Sequence, residues 1–478
     1  MSFYLKARPA ALWLIAFVVL SQIANCQEGL IKKNTTSAET ALNSGTTDVA
    51  SYLKKYPEIL WLADADVVST QEGVASSKDP YSKQFFGERY IEFDRTILSL
   101  KCLDLIFSGD DCAFKQFVKR QKKDVCLSKE SFNQLHQKVL SLFRLSRNIL
   151  TEKDMIQALE TALVLGDIGK SAKAREIFNE YGANAPDHDD FHEQVIKILQ
   201  THEHLCPSYS RLNPAAKKLV ASSANLAHYG HITHLEGDLG MFSQLKTRSA
   251  DKDFELLLAF DTLVHICDVA GALGHVERDT SLVYTQNAFD AMEGVIDSCK
   301  VFESQNGKAI DAYNLYLSIR AKLLGLDPFD KKDRVLTRMA AMLRLFTPGD
   351  GSILKCAIQN LSDETRECVV KQLDINVDSN FKRTPTYMPA VLINLANNPQ
   401  LGSSFEERLS NSVTLGLPFI ARVLANYNDE LIKSKLDSNI PLCFNSAAGV
   451  VKVRPDALSQ SFTIDEEGNV LLDGFKDK

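Results

Sequence analysis

From about residue 90 to residue 346, apolar side chains recur at i, i+3 and i+4 with few breaks, and that spacing commits the chain to α-helix. The pattern predicts helices over 90–107, 131–150, 152–165, 171–181, 190–203, 214–228, 252–273 and 283–305, continuing through 309–324 and 334–346. Ser131 and Thr151 precede good helix starts, and Thr151-Glu152-Lys153-Asp154 reads as a capping box with Asp in place of Glu. Pro348 and Gly349-Asp350-Gly351 punctuate the pattern before a second helical stretch, roughly 352–437. The tail changes period. Gly449-Val-Val-Lys-Val-Arg454, Ser461-Phe-Thr-Ile464 and Val470-Leu-Leu472 read as short strands around a tight turn at 465–469. The expected fold class is therefore all-α, with a helical C-terminal region and a short β element at the C-terminus. No internal repeat points to a solenoid.

Composition narrows the function classes. With 45% hydrophobic and 24% charged residues in 478, the chain can bury real cores and is neither disordered nor collagen-like. A net charge of -7 supplies no sequence-wide basic field, so nucleic acid is not indicated as a partner.

The first residues have an export pattern. Lys6 and Arg8 precede an apolar run from Ala10 to Leu20, then small residues up to Ala24 and Cys26. The expectation is a signal peptide over 1–26, followed by a Ser- and Thr-rich leader or linker over 27–85 and a secreted or periplasmic location. An uncleaved anchor and a lipid-modified Cys26 are the alternatives; no later stretch is long and apolar enough to span a bilayer. Nine cysteines follow Cys26. In an oxidising compartment, Cys102, Cys112 and Cys126, and separately Cys356 and Cys368, are candidates for local disulfides.

Histidine is the most uneven residue. Nine of the ten fall between His188 and His275, and imidazole is the commonest metal ligand. His188 and His192 stand four apart among Asp187, Asp189 and Asp190, although an acidic helix start explains those carboxylates equally well. His228, His231 and His234 follow at steps of three. Asp268 sits in a strongly apolar helix, where an aspartate costs several kcal/mol unless it is paired or metal-bound. Its plain alternative is a hydrogen-bonded pair with His265.

Residues 162–170, Ala-Leu-Val-Leu-Gly-Asp-Ile-Gly-Lys, resemble the apolar helix ending in His-Asp-Ile-Gly-Lys of the HD-domain superfamily. His136 stands 31 positions before Asp167, as the family's first histidine does, and Leu263-Val-His-Ile-Cys-Asp268-Val-Ala is similar to its final aspartate motif. The resemblance covers residues 130–280 and implies an HD-like helical bundle over 86–347, with 348–478 as the helical C-terminal region. It further implies one or two divalent ions (Mn, Fe or Zn) held by His136, Asp167, Asp268 and an intervening His188, His192 or His234. The activity implied is hydrolysis of a small phosphorylated substrate, with Lys170 set to neutralise phosphoryl oxygens. Lys170 is equally explained as a solvated helix-end lysine. One departure is plain: Gly166 replaces the motif's histidine. A di-iron oxygenase is the in-family alternative, and a non-catalytic HD-fold binding or interaction protein is the rival outside enzymology. Phosphate-binding glycine loops, a Gly-x-Ser-x-Gly elbow and a His-Glu-x-x-His helix are all missing.

Overall fold

The computed structural model describes residues 47–64, 79–185, 188–226, 232–235, 238–304, 306–374, 385–432, 440 and 442–474. The expected signal peptide therefore lies outside the described residues. Among those described, no helix is long and apolar enough to cross a membrane.

The chain is mainly α-helical. Its α-helices of six residues or more begin with α1 (Thr47–Lys55), α2 (Tyr81–Phe86), α3 (Ile91–Ser108), α4 (Asp111–Val118), α5 (Lys129–Ser146) and α6 (Glu152–Gly166). There follow α7 (Ala172–Asn179), α8 (His188–Leu199), α9 (Pro214–Ala224), α10 (Asp238–Arg248) and α11 (Phe254–Gly271). Next come α12 (Gln286–Cys299), α13 (Ala309–Leu323), α14 (Lys331–Met342), α15 (Pro348–Gln359) and α16 (Asp363–Leu373). The run closes with α17 (Met388–Asn397), α18 (Phe405–Ile432) and α19 (Asn445–Val451), ahead of strands β1 (Phe462–Ile464) and β2 (Val470–Leu472).

The chain divides into two compact units, each discontinuous in sequence. The first takes the described residues up to Gln121, then Arg147–Ala221 and Cys267–Val283. The second takes Lys122–Ser146, Ser222–Ile266 and the chain from Tyr284 onward.

In the first unit α3 packs on α6, burying Phe93, Ile97, Leu103 and Ile106 with Leu159 and Val164. The capping box that starts α6 is present: Asp154 N–H donates to Thr151 Oγ1 at 3.2 Å, and Thr151 N–H returns to Asp154 Oδ2. Two later segments come unusually close to helix backbones. A Cβ on Gly271 would lie 2.1 Å from Ser99 Oγ and 2.6 Å from Ser99 N, and one on Gly274 would lie 2.2 Å from the Asp94 carbonyl oxygen. Only glycine lets the end of α11 lie this close to α3.

In the second unit α17 packs on both α18 and α19, and α15 and α16 pack on α18. Leu354, Leu392, Leu395, Leu417, Ile420 and Phe444 are fully buried there. Strands β1 and β2 pair antiparallel, with Phe462 opposite Leu472 and Ile464 opposite Val470. Their turn is the one expected: Asp465 Oδ1 accepts from Glu467 N and Asn469 N, and Gly468 takes φ 84°.

Three expectations need correction. The segment from Gly449 to Val451 ends α19 and is not strand. Ala447, Ala448 and Val451 share a buried face against α17, and that packing outweighs the β preference of paired valines. Helix α5 starts two residues early, capped by Ser128, whose Oγ accepts from Ser131 N at 3.1 Å. The proposed local disulfides are absent: all nine described cysteines are free thiols. Cys102 is buried on α3 while Cys112 is exposed at the start of α4, so their sulfurs face different surroundings.

Candidate functional site

Five charged side chains of the first unit meet around the start of α3. Glu92 and Arg95 stand three apart in its first turns; Asp167 is the residue that closes α6; Lys170 follows in a single 3₁₀ turn, Ile168–Lys170; and Asp268 comes from the last turn of α11. Lys170 Nζ donates to Asp167 Oδ1 at 2.6 Å and lies 3.3 Å from Glu92 Oε1. The Arg95 guanidinium reaches three carboxylates. Nη1 is 3.2 Å from Glu92 Oε2, while Nη2 is 3.8 Å from Asp268 Oδ1 and 4.0 Å from Asp167 Oδ2.

The chain's close approaches place these groups. Gly271 brings the end of α11, and with it Asp268, against the Arg95 backbone. Gly169 does the same for α8: its Cβ would sit 2.2 Å from the His188 carbonyl oxygen. Gly166 is different. A Cβ there meets nothing within 4 Å, so a larger residue fits.

Burial, with the Asp167 charge beside it, pushes the Glu92 carboxyl up to about 7. Burial acts in the same direction on Asp167, but Lys170 and Arg95 outweigh it and hold that carboxylate well below its usual range. The two acids are hydrogen-bonded, so a proton on one is coupled to the charge on the other. Between Glu92 and Arg95 in the chain, Asp94 is 1% exposed and accepts from Ser82 N at 2.8 Å; burial nevertheless raises its carboxyl to about 7.

The residues singled out in the sequence are thus distributed as follows. Asp167 and Asp268 meet at Arg95, and Lys170 bonds to Asp167. His188 and His192 lie on α8 in the same unit, with His188 Nε2 3.3 Å from Asp189 Oδ1. His136 and His234 belong to the second unit. His265 is in that unit too, 3.4 Å from Asp261, which also accepts from Ser223 Oγ at 2.6 Å. His228 and His231 lie outside the described residues. Asp268 is less enclosed than its apolar helix suggests, since its side chain is 43% exposed and pairs with Arg95. Crowding along the sequence therefore spreads over two units in space.

Glu92 and Arg95 escaped the sequence reading because acids in a first helical turn are commonplace. The available signal was the run Glu92-Phe-Asp-Arg95 opening a helix otherwise made of buried apolar residues.

This donor set does not suit a resident divalent ion. A fixed cation already lies against Asp167 and Asp268, and among the described residues no three His, Cys, Asp or Glu side chains are grouped to hold a metal.

Fold and site together define a mainly α-helical, two-unit protein with a part-exposed, mutually neutralised charge cluster in its first unit. The chain belongs to DUF6829, a family of unknown function, whose pattern matches residues 53–439. No curated protein and no solved structure matches it.

Proposed function

We propose that this chain is an HD-like, non-catalytic binding protein in which Arg95 serves as the permanent counter-ion for Asp167 and Asp268. One observation supports the reading above others: the Arg95 guanidinium lies 3.8 Å from Asp268 and 4.0 Å from Asp167. A tethered guanidinium cannot lower the pKa of a bound water as a divalent ion does, and it cannot lose its proton to act as a base. Lys170 is engaged by Asp167 and Glu92, so it is not presented to a phosphoryl group.

A second reading, the metal-dependent phosphohydrolase, rests on the convergence of Asp167 and Asp268 from the two segments that carry the resemblance. Metal analysis of the purified chain, after incubation with Mn(II), Fe(II) or Zn(II) and desalting, separates the two. The binding-protein reading expects well under one equivalent bound and no hydrolysis of bis(p-nitrophenyl) phosphate. One or two ions per chain, with turnover lost in Asp167→Ala and Asp268→Ala, would overturn it in favour of the hydrolase. A sharper form uses Arg95→Ala combined with Gly166→His. Removing the guanidinium and adding an imidazole where there is open space should create metal affinity that the wild type lacks.

A further inference from the structure

Asparagine followed two positions later by serine or threonine, with no proline between, is the acceptor pattern for an N-linked glycan in an exported chain. The sequence carries it at Asn34-Thr-Thr36 and at Asn360-Leu-Ser362. The first lies outside the described residues. The second forms the short connection between α15 and α16, in the second unit.

That connection presents its polar residues to solvent. Asn360 closes α15 at φ −75° and ψ −11°, its N–H donating to the Ala357 carbonyl at 3.2 Å. Ser362 caps α16, its Oγ accepting from Thr365 N at 3.2 Å. Leu361, between them, is partly buried against the core of the unit, while Asn360 and Ser362 are both exposed. An anchored apolar residue thus turns the two acceptor residues outward. The Asn360 carboxamide is hydrogen-bonded to no described residue, so a sugar on its nitrogen displaces no contact among them. Asn398 is the opposite case. It is 3% exposed, and its Nδ2 donates to the Val451 and Lys452 carbonyls at 2.8 and 3.1 Å. A glycan is bulky and hydrophilic, and only a position of the Asn360 kind leaves it room in the folded protein.

We infer that Asn360 is an N-glycosylation site, modified as the chain enters a eukaryotic secretory pathway. The inference rests on the export expected from residues 1–26 and is independent of the cluster at Arg95. The donor is an oligosaccharide linked through pyrophosphate to a lipid, used by the host's transferase. Asn360 Nδ2 bonds to C1 of the first sugar, and the bond from C1 to the pyrophosphate oxygen breaks. The lipid pyrophosphate leaves, and one amide proton passes to a base of the transferase.

The test is secretion of the full chain, with its own residues 1–26, from cultured mammalian cells. Its peptides are treated with peptide N-glycosidase F in heavy-oxygen water, which converts each glycan-bearing asparagine to labelled aspartate, and are read site by site by mass spectrometry. Most molecules should carry the label at position 360. Asn360→Gln and Ser362→Ala should each abolish it, whereas Ser362→Thr, which keeps the hydroxyl, should retain it. If Ser362→Ala is not secreted, Asn360→Gln and Ser362→Thr decide. A secreted wild type without label at 360 overturns the inference, and so does a label that persists in Ser362→Ala. A chain held in the cytosol overturns it as well, through the failure of export.

Discussion

Arg95 and Arg320 show two ways in which one chain handles a guanidinium. Arg95 is partly solvated and has Glu92, Asp167 and Asp268 within 4.0 Å. Arg320 is buried and has one carbonyl, one aromatic ring and no acid among the described residues. In the first unit, charge is balanced by charge, and every member depends on the others. In the second, the positive charge is set among apolar helices and meets a carbonyl dipole and a ring face. The lesson is that a buried or half-buried arginine does not by itself mark a salt bridge.

The contrast breaks most readily at the arginines themselves. Arg95→Met leaves three carboxylates with Lys170 alone and should cost about 3 kcal/mol in urea unfolding. Arg320→Met should fall within about 1 kcal/mol of wild type, because replacing a lone buried charge by a hydrocarbon of similar size is near neutral. Comparable losses in both would erase the distinction. Next comes Gly271→Ala, whose methyl would strike Ser99; an overpacking cost of about 2 kcal/mol is expected, with Asp268 displaced from Arg95.

Asp94 sharpens the comparison through pH. Its folded-state pKa is raised to about 7 from 3.8, so the native state holds the proton more tightly than the unfolded chain. Its contribution is therefore complete below about pH 4 and declines as pH rises toward 7. Asp94→Asn should remove that decline, visible as a flatter plot of stability against pH; an unchanged slope would assign it to other groups. The smallest effect belongs to Asp268→Asn. With its side chain 43% exposed, the loss should stay under about 1 kcal/mol and shrink further in high salt.

The range of a force decides whether its effect is visible in the sequence. Helices such as Ile91–Ser108 and Ala309–Leu323 were legible because their apolar period is local and long. Shorter ones, Asp111–Val118 and Asp238–Arg248, carry too few turns to declare themselves and form in their tertiary setting. Asp268 stood out because an aspartate inside an apolar segment needs a partner, and Asp167 because residues 162–170 resemble the HD motif. Their partner did not: nothing in the string links position 95 to position 167, brought in by α6 packing on α3, or to position 268, brought in by the glycine contacts of α11. Likewise, the run of histidines is a fact about order along the chain, and the path through several helices distributes them.

The two glycines on either side of Asp167-Ile168 differ in what they allow. Position 169 is sealed by the carbonyl of His188, so a randomised library should return glycine there almost exclusively. Position 166 faces open space and should accept most of the alphabet. New chemistry next to Asp167 can therefore be acquired at one address and not at the other, and laboratory evolution of this centre has an obvious place to begin.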